Sequence, residues 1–380
     1  MILRTFSNLC AQSQACFRSA RAKSTLSAVI DETGKSGLIL KSLSTDIFEN
    51  LALEDWIHDH VDLQNRNMLF LWSNAPAVVI GRHQNPWQEC NLQVMRHKGI
   101  PLARRRSGGG TVFHDLGNVN LTFFTSKKNY DRHRNLQVVT SALKGLRPDM
   151  DVRATERFDI LLNGQHKISG TTAKLGRTAA YHHCTLLLCS ADRALLSAVL
   201  KPTCQGIKSN ATQSVPSPVK NLLDEDPTLD CDTVMDSVAS QYNTEFGFSS
   251  PVTLVDPSDE LSLPGIQRMA RELLAWEWTF GRTPKFSICT TFELKNDTSI
   301  CNATLNMDIK NGIIETCDIE VPSDWLPVEL SREFSLHMIG GKLCPYETSV
   351  IAAEFLRTIP QDKELERKLY NLCRRVVFMM

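Results

Sequence analysis

The chain has 380 residues, 42% of them hydrophobic and 22% charged, enough for two ordinary domains with a core in each. Forty-two Lys and Arg balance forty-two Asp and Glu, which excludes a global field drawing the protein to nucleic acid or to an acidic membrane surface. Apolar runs such as 68–72 fall far short of the roughly 20 residues that span a bilayer, and the irregularly spaced cysteines, with no Cys-x-x-Cys, read as reduced thiols rather than a disulfide frame.

The leader carries Arg4, Arg18, Arg21 and Lys23 and no acid before Asp31. That is the composition of a mitochondrial transit peptide, and the continuous apolar core of a secretory signal is missing. Ser44 then caps an expected helix to about His60, with Ile47, Phe48, Leu51, Trp56 and Ile57 on one face. The runs 68–72 and 77–80, with a turn at 74–76, read as a strand pair. Gln88 to Lys98 has helical spacing and stops at Gly99, and strands are expected at 111–113 and 118–124. Two strands at 158–162 and 165–169 flank Asn163-Gly164, a pair that readily takes the positive φ angles of a type I′ turn. Pro251, Pro257 and Pro264 mark a break; beyond it come strand patterns at 285–294 and 300–309, an Asn311-Gly312 turn, and helices near 328–339, 347–357 and 362–376. The expected organisation is a leader over 1–30, a main domain over 31–256 and a small domain over 257–380. Without regular βαβ alternation, the class is α+β, with mixed or antiparallel sheets flanked by helices in the main domain and a small C-terminal α+β domain.

Two motifs fail on inspection. Thr33-Gly-Lys-Ser36 resembles the end of a phosphate-binding loop, but the required first glycine falls at Val29 and no strand precedes it. His182-His183-Cys184 suggests a metal site, yet it lies on an expected strand whose successive side chains point to opposite faces.

The densest signal is Arg104-Arg-Arg-Ser-Gly-Gly-Gly-Thr-Val-Phe-His-Asp115, followed by Gly117-Asn118. Three consecutive glycines between strands cost backbone entropy that a simple turn does not require, so a ligand must approach this backbone closely. Their successive amides are expected to cradle an anion, and the three arginines to supply charge. These residues resemble the loop of the lipoate-protein ligases and lipoyltransferases of the biotin/lipoate ligase superfamily. The resemblance continues in Val78 to Asn91, Arg157-Phe-Asp159, Lys167-Ile-Ser-Gly170, Ser214 to Leu222 and Trp276 to Gly281, in order, over nearly the whole chain past the leader.

The resemblance implies a lipoyl-AMP site. The triple glycine, Gly108 to Gly110, would close over the lipoyl tail with Arg106 and Ser107 beside it, and Gly81 to Gln84, Arg82 among them, would line the same slot. Lys167 would contact the acyl carbonyl and phosphate as the catalytic residue. Phe113 would border the adenylate, Arg157 and Thr185 would flank it, and Val215 and Ser217 would offer backbone and hydroxyl contacts. It further implies an acyltransferase of the mitochondrial matrix that moves a lipoyl group, from lipoyl-AMP or a lipoylated carrier, to a lysine of lipoyl domains. Those acceptors would be the E2 subunits of oxo-acid dehydrogenases and the glycine-cleavage H protein. Lipoyl-AMP is then a substrate, no tightly bound cofactor or structural metal is expected, Mg enters only with ATP-dependent activation, and the protein is expected to be a monomer with neither nucleic acid nor membrane as partner. The alternatives are a ligase that also activates lipoate with ATP, and a non-catalytic lipoyl-binding assembly protein. Bacterial ligases of this type carry Ser-Val-Arg-Ser-Arg-Val where this chain reads Ser214-Val-Pro-Ser-Pro-Val219, so two cations that suit a triphosphate are replaced by prolines. No base for the acceptor amine is evident; His114 and Asp115 are candidates, and Cys184 is a candidate thiol nucleophile expected to be buried and inert.

Overall fold

A computed structural model describes residues 37–189, 193–295, 299–358 and 362–379. The expected transit peptide and Thr33 to Ser36 lie outside them. The centre of the main domain is a six-stranded mixed sheet in the order Ser169–Leu175, Ala179–Leu187, Asn118–Ser126, Met68–Trp72, Leu38–Ser42, Val252–Val255. The first four strands pair antiparallel and the last two join in parallel. Asn118–Ser126 is buried along its whole length, as a central strand covered on both faces must be.

Each face of that sheet feeds a separate core. On one, Leu40, Phe70, Trp72 and Tyr181 pack under helices Ile47–His60 and Ile266–Leu274. On the other, Ile39, Leu71, Leu121 and Leu186 pack under helices Arg132–Leu146 and Cys231–Phe246. Strand alternation divides one run of sequence between the two: Leu69 and Leu71 go one way, Met68, Phe70 and Trp72 the other.

Several expected elements differ in detail. Helix Ile47–His60 is capped by Asp46, whose carboxylate accepts from the amides of Phe48 and Glu49, while Ser44 Oγ accepts from the amide of Asp46 one step outside. The runs 68–72 and 77–80 are strands but do not pair: the first lies in the large sheet, and Ala77–Ile80 is the middle of a three-stranded sheet with Leu102–Arg104 and Val112–His114. Both are buried on both faces, so neither carries the alternation that would name its partner. The expected helix 88–98 is two, Pro86–Glu89 and Leu92–Lys98, because Asn91 caps the second helix while Cys90 turns extended. Gly99 closes it at φ 65°.

Asn163 and Gly164 take φ 54° and 68° and a hairpin joins Ile160–Leu162 to His166–Lys167, but Leu162 pairs with His166, so the loop holds three residues, 163–165, rather than the expected two. The C-terminal part builds an antiparallel sheet from Phe286–Lys295, Ile300–Lys310 and Ile313–Glu320, with helices Val328–Met338, Pro345–Arg357 and Lys363–Phe378 on a third core. Ile207–Ser209 from the main domain adds a fourth strand to that sheet. Among the described residues no helix is long and apolar enough to cross a membrane.

Candidate functional site

A cavity of about 350 Å³ opens where the glycine turn, the hairpin and the 212–215 segment meet; Gly109, Gly110, Thr111, Lys167, Gly170, Thr172, His183, Thr185 and Val215 are among its walls. The turn is pinned from beneath. Arg105 is buried, and its guanidinium donates to the carbonyls of Val79 at 3.2 Å, Gly108 at 2.5 Å and Gly110 at 2.7 Å. Thr172 Oγ1 donates to the Gly108 carbonyl at 2.9 Å, and the amide of Arg82 donates to the Ser107 carbonyl at 2.9 Å. Gly109 takes φ 83°, which a β-branched residue resists, and Gly81 is so close beneath it that an added Cβ would lie 2.1 Å from the Gly109 oxygen. Gly109 is therefore required by the local backbone and Gly81 by the packing beneath it.

All three arginines before the turn serve the protein itself. Arg104, fully buried, donates to the carbonyls of Gly81, Arg82, Gln84 and Thr279 and to the Thr283 hydroxyl. Arg106 lies 3.1 Å from Asp55 and 3.2 Å from Glu272, with its guanidinium over the Trp278 ring. The charge expected to meet an anion is spent on carbonyls, carboxylates and a ring face; of the three, Arg105 alone borders the cavity.

The floor is a buried polar network. Asn50 Nδ2 donates to the carbonyls of Ser44 and Ser73 and to Asn74 Oδ1 at 2.9 Å, which turns Asn74 Nδ2 toward His114 Nδ1, also at 2.9 Å. That orientation assigns the acceptor role to His114 Nδ1 and the proton to Nε2, which faces Thr185 Oγ1 at 3.5 Å. Burial, reinforced by His183 and Arg105, holds His114 well below the ordinary histidine value, so it is neutral. Neither ring nitrogen is then free to take a proton from an acceptor amine. His183 and Thr185 project from the same face of their strand, with His183 Nδ1 3.1 Å from the buried carboxylate of Glu54. Burial alone would raise Glu54, but His183 and hydrogen bonds including that of Thr122 hold it below the ordinary carboxylate range.

Lys167 reaches the cavity from the second strand of the hairpin, and its Nζ lies 2.8 Å from Asp159. Asp159 follows Phe158, whose φ of 64° is unusual for a bulky residue; the Arg132 guanidinium sits 4.8 Å over that ring. The amide of Lys167 donates to the Pro218 carbonyl at 2.9 Å and its carbonyl accepts from Lys220 at 3.2 Å, so the hairpin carries the 215–220 loop along its edge.

Of the residues expected at the site, Gly109, Gly110, Lys167, Thr185 and Val215 are brought together around the cavity. Gly81, Arg82, Ser107 and Gly108 support the turn from outside. Phe113 points away into a core with Val78 and Ile80, because Val112 and His114 hold the cavity face of its strand. Arg157 and Ser217 are exposed and off the cavity. Asp115 accepts the Gly117 amide at 2.9 Å and shapes the next turn. Cys184 faces a core, its thiol pushed up to about 12 by burial and by Asp159. Thr111, Thr172, His183 and Ser214 were missed; strand alternation through Thr185 signals His183, whereas nothing local marks Thr172 or Ser214. Among the described residues no group of three or more His, Cys, Asp and Glu is placed to hold a metal ion. Even His182 and His183 face opposite ways, His182 toward Asn135 and Phe123 and pushed down to about 3 by burial, with Arg132 and His183 adding to it.

A second cavity of about 360 Å³ lies between Phe48, Trp87, Trp276 and Phe280. Its walls are almost wholly apolar, with Arg96 at the edge, and they offer no set of donors for a phosphate or a carbonyl.

Residues 46–243 match the sequence model of the lipoyl protein ligase A/B catalytic domain. The chain belongs to this family. It is 54% identical over 349 residues, 92% of this chain and 93% of the relative, to the mitochondrial lipoyl amidotransferase LIPT1 of Homo sapiens. It is 35% identical to lipoate-protein ligase A of Psychrobacter cryohalolentis over 77% of this chain and 84% of that one. The crystal structure of LipL1 from P. falciparum in complex with lipoate shares the fold, with a TM-score of 0.56 at 23% identity over 90% of this chain and 99% of that one. The α+β class expected from the sequence is thus the lipoate-ligase fold.

Proposed function

We propose that the chain is a mitochondrial lipoyl amidotransferase that takes the lipoyl group from lipoyl-AMP and places it on a lysine of lipoyl domains. The observation that carries this reading is the Lys167 ammonium at the wall of a cavity roofed by glycine backbone and floored by Thr185, His114 and His183. The high identity to the human amidotransferase supports the reaction class and the compartment. The specific acceptors we propose are the E2 subunits of oxo-acid dehydrogenases and the glycine-cleavage H protein, met by a monomer in the matrix.

In this reading the lipoyl tail lies beneath Gly109 and Gly110, and the adenylate lies toward Thr111, Ser214 and Val215. Acyl-AMP is already an activated mixed anhydride, so the protein has to position an amine, stabilise charge and exclude water. The acceptor amine attacks the lipoyl carbonyl, a C–N bond forms, the acyl C–O bond to phosphate breaks, AMP leaves with the electron pair, and the proton lost by the attacking nitrogen goes to the departing phosphate or to solvent. Lys167 stands where negative charge grows on the carbonyl oxygen and the phosphate, and Asp159 holds its ammonium in place. Because His114 keeps its proton on Nε2, it serves as a donor at the floor rather than as the base.

The ATP-dependent ligase is the second reading, favoured by the likeness to lipoate-protein ligase A. Mg would accompany that step alone. Against it, the exposed segment 215–218 carries prolines and no cation. We also propose a separate C-terminal domain, supported by its own core from Phe286 onward; the boundary expected at 257 is too early, because helix Ile266–Leu274 packs on the main domain's sheet, and strand 207–209 reaches across to the C-terminal sheet. The test is mass spectrometry of an apo lipoyl domain incubated with the purified protein and either lipoyl-AMP or lipoate with ATP and Mg. Rapid gain of one lipoyl group from lipoyl-AMP is expected; gain at equal rates from both donor systems would replace the transferase by the ligase.

A further inference from the structure

We propose that Glu89 is a positioning residue whose buried carboxylate clasps the 211–219 loop onto the strand that leaves the triple glycine, and so sets the shape of the adenylate end of the cavity. The inference rests on the reading of this cavity as the lipoyl-AMP site.

Glu89 closes the single-turn helix Pro86–Glu89, which Asn85 caps through the Trp87 amide. Trp87 packs between Phe280 and Phe286, at ring separations of 5.3 and 5.4 Å, so the helix is anchored in the C-terminal core and its last side chain is aimed back at the site. Glu89 is 8% exposed, yet its donors are a backbone amide and two hydroxyls. Oε1 accepts from the amide of Ser214 at 3.2 Å. Oε2 accepts from the Ser214 hydroxyl and from Thr111 Oγ1, the latter at 3.0 Å. Ser214 Oγ in turn accepts from the amide of Thr111 at 2.9 Å and from Gln84 Nε2 at 3.1 Å.

Thus one carboxylate joins the 78–91 segment, the strand that leaves the glycine turn and the 211–219 loop, the last 125 residues away in sequence. Thr111 and Ser214 line the cavity and Glu89 does not, so its effect must pass through them. The fit is close: a Cβ on Gly110 would stand 3.2 Å from Ser214 Oγ, so the loop sits directly on the glycine backbone. Elsewhere the 211–219 loop is mostly exposed, and the backbone bonds beside the clasp run from the Thr212 amide to the His83 carbonyl and from Lys167 to Pro218.

The test compares Glu89→Ala, Glu89→Gln, Ser214→Ala and the Glu89→Ala/Ser214→Ala pair by amide hydrogen exchange of the unliganded full chain and by transfer kinetics with lipoyl-AMP. Glu89→Ala is expected to speed exchange at Thr111 and over 211–215 and to raise KM for lipoyl-AMP by at least about tenfold, the ratio set by one lost bond to a charged acceptor. kcat is expected to stay within about threefold, since loop placement acts on binding more than on the reacting centre. Glutamine keeps a carbonyl for the Ser214 amide, but its NH₂ faces a Ser214 hydroxyl whose two lone pairs are already taken, so Glu89→Gln is expected to recover only part of the loss. The double variant is expected to be no worse than Glu89→Ala, because both changes open the same clasp. Should Glu89→Ala fail to fold, Ser214→Ala carries the test, with faster exchange at the Thr111 amide expected. Unchanged exchange in whichever variant folds, or fully additive effects, would overturn the proposal. Exchange needs no substrate, so failure of lipoyl-AMP as donor would appear separately, as a parent protein that does not transfer.

Discussion

Replacing Gly81 by alanine tests the glycine turn without touching a residue of the cavity wall. The new methyl would stand 2.1 Å from the Gly109 carbonyl oxygen and 3.0 Å from that of Gly108, whereas carbon and oxygen approach comfortably only to about 3.3 Å. The turn must therefore retreat by roughly 1 Å, and a displacement of that size at a substrate-positioning element costs about 10²-fold. The retreat also pulls the Gly108 and Gly110 carbonyls from Arg105, leaving a buried guanidinium short of acceptors, at roughly 1.5–3 kcal/mol per bond to a charged group. Gly108→Ala is the control, because its Cβ would meet nothing within 4 Å and its φ lies outside the left-handed region. Single-turnover transfer from lipoyl-AMP, with calorimetric affinity for a non-hydrolysable lipoyl-adenylate analogue, should show Gly81→Ala impaired about 100-fold and Gly108→Ala within about threefold. Equal activity of the two variants would refute the idea that the turn is seated on Gly81.

Lys167→Ala is expected to lower transfer by at least about 10²-fold while leaving thermal stability near that of the parent, since the side chain is partly exposed and supports little packing; near-normal turnover would remove it from the mechanism. Pro216→Arg with Pro218→Arg is expected to raise the slow reaction from lipoate and ATP, read by pyrophosphate release, and no gain would leave the ligase difference elsewhere. Asp55 is raised to about 6 by burial, with Glu54 adding to this and Lys174 and Arg106 opposing it. The folded state therefore holds a proton that the unfolded chain has lost above about pH 4, so this group's contribution to stability falls as pH rises from about 4 to 6, by an amount on the order of 3 kcal/mol. The stability of the parent relative to Asp55→Asn should fall over that interval in denaturant titrations, and a difference independent of pH would contradict the buried carboxyl.

Where the backbone itself demanded a residue type, the sequence was readable. Asn163-Gly164 announces positive φ, and Lys167 could be placed by its Lys167-Ile-Ser-Gly170 motif, although the turn is one residue longer than the Asn-Gly pair suggests. What depended on distant partners was not. The runs 68–72 and 77–80 are hydrophobic on both faces, and a strand without alternation cannot say which edge it joins. Phe113 shows how a single step of phase decides a role, since its neighbours Val112 and His114 take the cavity side. The arginines before the glycines looked like ligand charge because, apart from the Gly108 and Gly110 carbonyls that Arg105 reaches locally, their acceptors come from 79–84, Asp55, Glu272 and 279–283, segments that only the fold brings near. Glu89 and Ser214 were obscure for the same reason, being 125 residues apart.

The central claim is that the cavity between the glycine turn, the Lys167 hairpin and the 212–215 segment receives lipoyl-AMP. Amide hydrogen exchange of the full chain with and without a non-hydrolysable lipoyl-adenylate analogue measures this directly. The account predicts protection confined to three segments, 109–112, 167–172 and 212–215, and its loss at all three in Gly81→Ala. Protection centred instead on 92–102, 274–280 and 343–345, around the second, apolar cavity, would contradict it.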